Sequence, residues 1–193
     1  MNRTVKTLSL MLSLFSTAAH GADDAGLTAG VFTPPREAPE FSLQGSNGAE
    51  LKLDTYRGKV VILGFGFTSC PEICPTTLAV LAQTRRRLGA DAEDLQVVYV
   101  TVDPQTDSPE QMRKYLATFD PTFIGGTGSE EQLAQVRKAY GIIASKKDYG
   151  SNYTFAHSSY TYLIDRDGKL RALMTYGHTP ADYVHDVRIL LQE

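Results

Sequence analysis

Apolar positions are densest in Val60-Val61-Ile62-Leu63-Gly64-Phe65-Gly66-Phe67, a run without the alternation of a half-solvated strand. It predicts a strand covered on both faces, as in a parallel sheet sandwiched by helices. Gly64 and Gly66 narrow the strand where another group packs closely. Pro71 and Pro75 break it, and the spacing of Leu78, Leu81 and Leu88 predicts a helix behind them. Leu95 to Val102 reads as a second buried strand. Ser108, with Pro109 in the first turn and Gln111 at the capping-box position, opens a helix that turns Met112, Tyr115, Leu116 and Phe119 inward. Phe123-Ile124 is a short apolar pair ended by Gly125 and Gly126, and Ser129 with Gln132 starts a helix running to about Tyr140. Tyr160 to Ile164 and Leu170 to Tyr176 flank Asp165-Arg166-Asp167-Gly168, an antiparallel hairpin. Thr179-Pro180 caps a last helix carrying Tyr183, Val184, Val187 and Leu190.

Upstream of the central run, Phe41 to Leu43 and Leu51 to Leu53 around Asn47-Gly48 predict a small hairpin capping one end of the sheet. Residues 22–40, polar and bearing Pro34, Pro35 and Pro39, read as a flexible leader. Residues 1–21 read as an export signal: Arg3 and Lys6, then the apolar stretch Leu8 to Ala19, then Ala19-His20-Gly21 as a small-x-small cleavage site. That stretch is shorter than the roughly 20 residues a membrane span needs, so the alternative to cleavage is an amphipathic anchor. The succession of elements over residues 41–193 is that of an α/β, thioredoxin-like fold, with a central mixed sheet flanked by helices and an N-terminal β-hairpin extension.

Composition narrows the partners more than the fold. A chain of 193 residues with 42% hydrophobic content suits one domain. Its formal charge of -3 becomes -5 without Arg3 and Lys6, and its basic residues are scattered apart from Arg85-Arg86-Arg87. Nucleic acid is not an expected partner, and the arginine triplet reads as a solvated helix face. Export would bring the chain into an oxidising compartment, where cysteines pair.

The two cysteines of the chain, Cys70 and Cys74, fall where the central strand ends and the helix begins. Backbone N–H groups and the helix dipole favour thiolate there. A C-x3-C spacing places two sulfurs one helical turn apart, where they can share a metal ion or exchange as a dithiol. A purely structural disulfide across so short a loop would contribute only about 2 kcal/mol, against about 3 for a fifteen-residue loop. A metal needs a third ligand, and the histidines outside the export signal are His157, His178 and His185. His157 precedes the strand beginning near Tyr160, whose entry loop faces the cysteines in a thioredoxin-like sheet. Thioredoxins carry a cis-proline in that loop; here no proline lies between Pro121 and Pro180, and a histidine stands in the region. Two thiolates and an imidazole are a soft set suited to copper, with zinc as the rival ion.

These residues carry a resemblance. Thr68-Ser69-Cys70-Pro71-Glu72-Ile73-Cys74-Pro75, Val102-Asp103-Pro104-Gln105-Thr106-Asp107-Ser108-Pro109, and His157-Ser158 ahead of Tyr162-Leu163-Ile164-Asp165 stand in the order found in the Sco/SenC family of copper-binding, thioredoxin-like proteins. Similarity extends over about residues 38–192. The resemblance implies that Cys70, Cys74 and His157 bind a copper ion, Cu(I) or Cu(II), and that Asp103 shapes the pocket without ligating. It implies a metallochaperone for the binuclear copper centre of a respiratory cytochrome oxidase, partnered by the copper-receiving subunit and a copper donor protein. It also implies a periplasmic location, with membrane attachment only through the N-terminal segment. Family members often carry an acidic residue just before the histidine, where this chain has Ala156. The alternative on the same cysteines is a thiol-disulfide oxidoreductase that reduces client thiols with Cys70 and Cys74. A peroxiredoxin-type site is not supported: Phe67 and Pro71 stand where its threonine or serine would be.

Overall fold

The computed structural model describes residues 26–150 and 152–193; the expected export signal lies outside them. Its elements in chain order are β1 (Gly30–Glu37), β2 (Ser42–Gly45), β3 (Glu50–Lys52), β4 (Val60–Gly66), α1 (Ile73–Leu88), β5 (Leu95–Thr101) and α2 (Pro109–Ala117). There follow β6 (Ile124–Thr127), α3 (Glu130–Tyr140), β7 (Ala144–Tyr149), β8 (Asn152–His157), β9 (Thr161–Ile164), β10 (Lys169–Met174) and α4 (Pro180–Gln192). Eight strands form one mixed sheet in the order β1-β10-β9-β4-β5-β6-β2-β3. The apolar run becomes β4 near its centre, buried at every residue, parallel to β5 and antiparallel to β9.

Alternation along β4 divides the core. Gly64 and Gly66 point to the face covered by α1, α2 and α4: their missing side chains make room for the Tyr99 ring and Cys74, and Gly125 of β6 does the same for Met112 and Leu116 of α2. Phe65 points to the other face, against Tyr140 at the end of α3 and Tyr162 of β9. The predicted caps form where polar side chains can reach the free N–H groups of a helix start. Ser108 accepts from the Gln111 N–H, while Ser129 with Gln132 and Thr179 with Asp182 form reciprocal capping boxes.

Four expectations are corrected. Residues 30–37 of the expected leader are β1, paired with β10 across an irregularity between Val31 and Arg36; an edge strand with a register break tolerates Pro34 and Pro35 because its outer N–H positions face no partner. The Asn47-Gly48 hairpin extends the sheet edge instead of capping its end, since β2 pairs with β6. Gly125 and Gly126 lie inside β6, where close packing on both faces requires them, and do not end it. Arg85 is not a solvated residue: its guanidinium donates to the carbonyls of Ala92 and Leu95 and sits 3.5 Å from Asp120, while Arg86 and Arg87 are exposed.

A methyl group at Gly66 would stand 2.7 Å from Cys74 Sγ and also press on the Tyr99 hydroxyl. Gly66→Ala is expected to destabilise the domain by about 1–3 kcal/mol through overpacking, read as a lowered urea midpoint at unchanged slope.

Candidate metal and redox site

The site is built at the C-terminal ends of β4 and β5. Past Gly66 the chain turns through Phe67 and Thr68, and this turn is tied down by Asp107. The fully buried Asp107 carboxylate accepts from the Thr68 N–H at 3.0 Å, the Thr68 hydroxyl at 2.6 Å and the Thr101 hydroxyl at 2.6 Å. Burial pushes its carboxyl up from the ordinary value and these donors oppose the shift. One side chain thus joins the loop before Cys70, the end of β5 and the entry to α2.

Helix α1 starts at Ile73 with Glu72 in the cap position and no side-chain oxygen on its free N–H groups. Cys70 supplies the acceptor instead: the Cys74 N–H points to Cys70 Sγ at 3.5 Å, and the Glu72 and Ile73 N–H groups also favour its anion. The Cys74 thiol donates to the same sulfur. That bond, followed by the backbone donors and against partial burial, lowers the Cys70 pKa to about 5. Cys74, 1% exposed, is shifted the other way, first because its S–H proton is held between it and Cys70 and then by burial. The two free thiols therefore differ: Cys70 is a half-buried thiolate and Cys74 an enclosed thiol.

His157 enters from a different direction. The region read as a loop before β9 is a separate antiparallel ribbon, β7 with β8, and His157 is its last residue. The ribbon escaped the sequence reading because Ser145, Lys146, Lys147 and Asp148 carry no apolar alternation and are exposed or nearly so. Side-chain contacts hold it to the body. The Tyr153 hydroxyl donates to the buried Asp103 carboxylate at 3.1 Å and accepts from Thr106 at 2.8 Å. Lys146 lies over the Tyr153 ring at 3.8 Å. A row of edge-on aromatic contacts runs from Tyr153 through Phe155 and Phe67 to His157. Asp103, expected to shape the pocket, is the residue to which the Tyr153 hydroxyl of this ribbon is bonded.

The ring of His157 has a defined tautomer. Nδ1 lies 2.9 Å from the Ser158 carbonyl, which can only accept, so Nδ1 bears the proton and Nε2 presents its lone pair. Nε2 stands 3.7 Å from Cys74 Sγ. Donors bound to one first-row ion at about 2.3 Å for sulfur and 2.0 Å for nitrogen, and about 120° apart, would lie about 3.7 Å from each other. The pair therefore fits a shared ion without rearrangement, and a histidine that donates its second N–H to a carbonyl is the usual arrangement of a metal ligand. Among the described residues no three His, Cys, Asp or Glu side chains are already gathered as a ligand cluster; the Cys70 sulfur is directed to the helix start. His178 is held by the Thr175 carbonyl and His185 by Asp186. Asp107 and Tyr99 were missed from sequence: Asp107 stood in the quoted motif without a role, and Tyr99 lay within the buried strand Leu95 to Val102.

Known proteins share this sequence pattern and this fold. The sequence model of the SCO1/SenC family matches residues 32–192. A SCO2-like protein of Rickettsia conorii is 38% identical over 133 residues, 67% of this chain and 65% of that protein, so the chain spans a little less than two thirds of that relative's length. The structure of Bradyrhizobium japonicum ScoI with copper bound superposes with a TM-score of 0.75 at 32% identity, covering 80% of this chain and 99% of that one. BsSco, described as a member of the Sco family of cytochrome c oxidase assembly proteins with a disulfide switch, superposes at 0.67 with 28% identity, covering 82% and 95%. The thioredoxin-like α/β fold expected from the sequence is the fold of these neighbours.

Two measurements check the site. Alkylation of the reduced protein should be confined to Cys70 near neutral pH and lose its rate only as pH falls through about 5, because the nucleophilic anion persists above that value. Tyr153→Phe should raise amide exchange in β7 and β8 by about five- to tenfold, the worth of one ordinary hydrogen bond, and leave β4 and β5 protected.

Proposed function

Because the chain belongs to the SCO1/SenC family, we propose that it binds copper through Cys70, Cys74 and His157 and passes the ion to the copper-receiving subunit of a respiratory oxidase. The observation that carries this reading is the 3.7 Å approach of the His157 Nε2 lone pair to Cys74 Sγ. In this account copper is cargo. Cys70, the more accessible and already ionised sulfur, meets the incoming ion first. Cys74 then gives up its proton to ligate, and His157 completes the set with a neutral nitrogen that needs no deprotonation. The set is released in the reverse order as thiolates and imidazoles of the client replace these donors one at a time. A copper donor protein supplies the ion by the same exchange. The export signal in residues 1–21 puts the domain in the periplasm, free or held at the membrane by that segment.

The second reading rests on the inequality of the two thiols. Cys70 is placed to attack a client disulfide, and Cys74 to resolve the mixed disulfide, leaving the client with two thiols and this chain with a Cys70–Cys74 bridge. Copper bound to Bradyrhizobium japonicum ScoI and the disulfide switch of BsSco support placing either chemistry on this scaffold.

Copper titration of the reduced domain, followed by its sulfur-to-copper(II) charge-transfer absorption, separates these. Cys70→Ala, Cys74→Ala and His157→Ala should each weaken binding by at least tenfold. Wild-type binding by all three would place the site elsewhere. If His157→Ala loses copper and still reduces a client disulfide at the full rate, the dithiol reading gains.

A further inference from the structure

Tyr99 lies fully inside the sheet-helix core, yet its polar end is not idle. Its ring lies over β4, where a Cβ at Gly64 would stand 2.8 and 2.9 Å from two of its carbons. Its hydroxyl shares with Cys74 Sγ the space that a side chain at Gly66 would fill: a Cβ there would stand 2.7 Å from the sulfur and closer still to the phenol oxygen, so the two groups face each other across one slot. Burying a phenol hydroxyl costs about 1–3 kcal/mol unless it is bonded, so a phenylalanine would suit this slot better if packing were its only task.

We infer that Tyr99 is a positioning residue for Cys74: its hydroxyl, in the slot left by Gly66, donates to the sulfur of the reduced protein and thereby sets the balance between dithiol and disulfide. A disulfide sulfur is a weaker acceptor than a thiol or thiolate. The bond therefore favours the reduced pair, the state that accepts metal. The inference rests on Cys70 and Cys74 being the working pair, and its test uses no metal.

The test is equilibration of full-length protein with glutathione, in which two glutathione thiols are oxidised to one glutathione disulfide as the Cys70–Cys74 bridge takes up two electrons and two protons. Tyr99→Phe should shift this equilibrium about fivefold toward the bridge, roughly 20 mV at 29.6 mV per decade, with thermal unfolding reported alongside. Tyr115→Phe is the matched control. Its hydroxyl, on α2, is buried without a hydrogen-bond partner, and removing it should leave the equilibrium within twofold of wild type. An unchanged equilibrium in Tyr99→Phe, or an equal shift in both variants, would overturn the inference. If Tyr99→Phe does not fold, 3-fluorotyrosine at position 99, a stronger donor of nearly the same shape, should move the balance toward the dithiol; a shift the other way or none sinks the idea. Copper binding by the three ligand variants is independent of this outcome, so either reading can fail alone.

Discussion

A buried carboxylate with three donors on it is the constraint from which the site follows. Asp107 is removed from water, and its charge is tolerable only while the Thr68 N–H, the Thr68 hydroxyl and the Thr101 hydroxyl face it. Those donors come from the loop that leaves β4 and from the last residue of β5. Satisfying one side chain therefore fixes the distance between two strand ends and the direction in which the chain departs toward Cys70. The uncapped start of α1 then does the rest, because its N–H groups need an acceptor and a sulfur is the atom delivered to them.

The inequality of the thiols is a consequence of that delivery. Equivalent cysteines at a helix start would compete for the same N–H groups. Here one sulfur lies outside the helix and receives them, while the other is built into the helix and shares its space with Tyr99 and Gly66. The same arrangement serves ligation and exchange, since both need one accessible anion and one protected partner. A fold that hosts the first is thus close to hosting the second.

Much of the fold was legible because its signals are local. β4 announces itself within a run of eight residues, Val60 to Phe67, of nearly unbroken apolar character, and the helix starts at Ser108, Ser129 and Thr179 carry their caps within three residues. What was not legible depends on contacts distant in sequence. Pro34 and Pro35 argue against a strand until β10 is there to pair with one side of it. Gly125 and Gly126 look like a terminator until α2 and the β2–β3 hairpin press on them from opposite faces. The β7–β8 ribbon has no core-facing pattern at all, since Tyr153, Phe155 and Lys146 hold it from the side. For the site, residue types and spacing nominated Cys70, Cys74 and His157, of which the structure brings His157 to Cys74. They did not reveal Asp107, whose partners lie 6 and 39 residues away, nor Tyr99, whose polar end is invisible to a hydropathy pattern.

The ribbon that carries His157 stands apart from the eight-stranded sheet, whereas Cys74 belongs to the buried core. The imidazole and that sulfur therefore meet across two separate pieces of backbone. Swinging the ribbon outward would part them by breaking the Tyr153–Asp103 hydrogen bond and the Phe67–Phe155 contact, and none of the main sheet's ladder. Substitutions in the ribbon and substitutions in the core are thus free to drift independently.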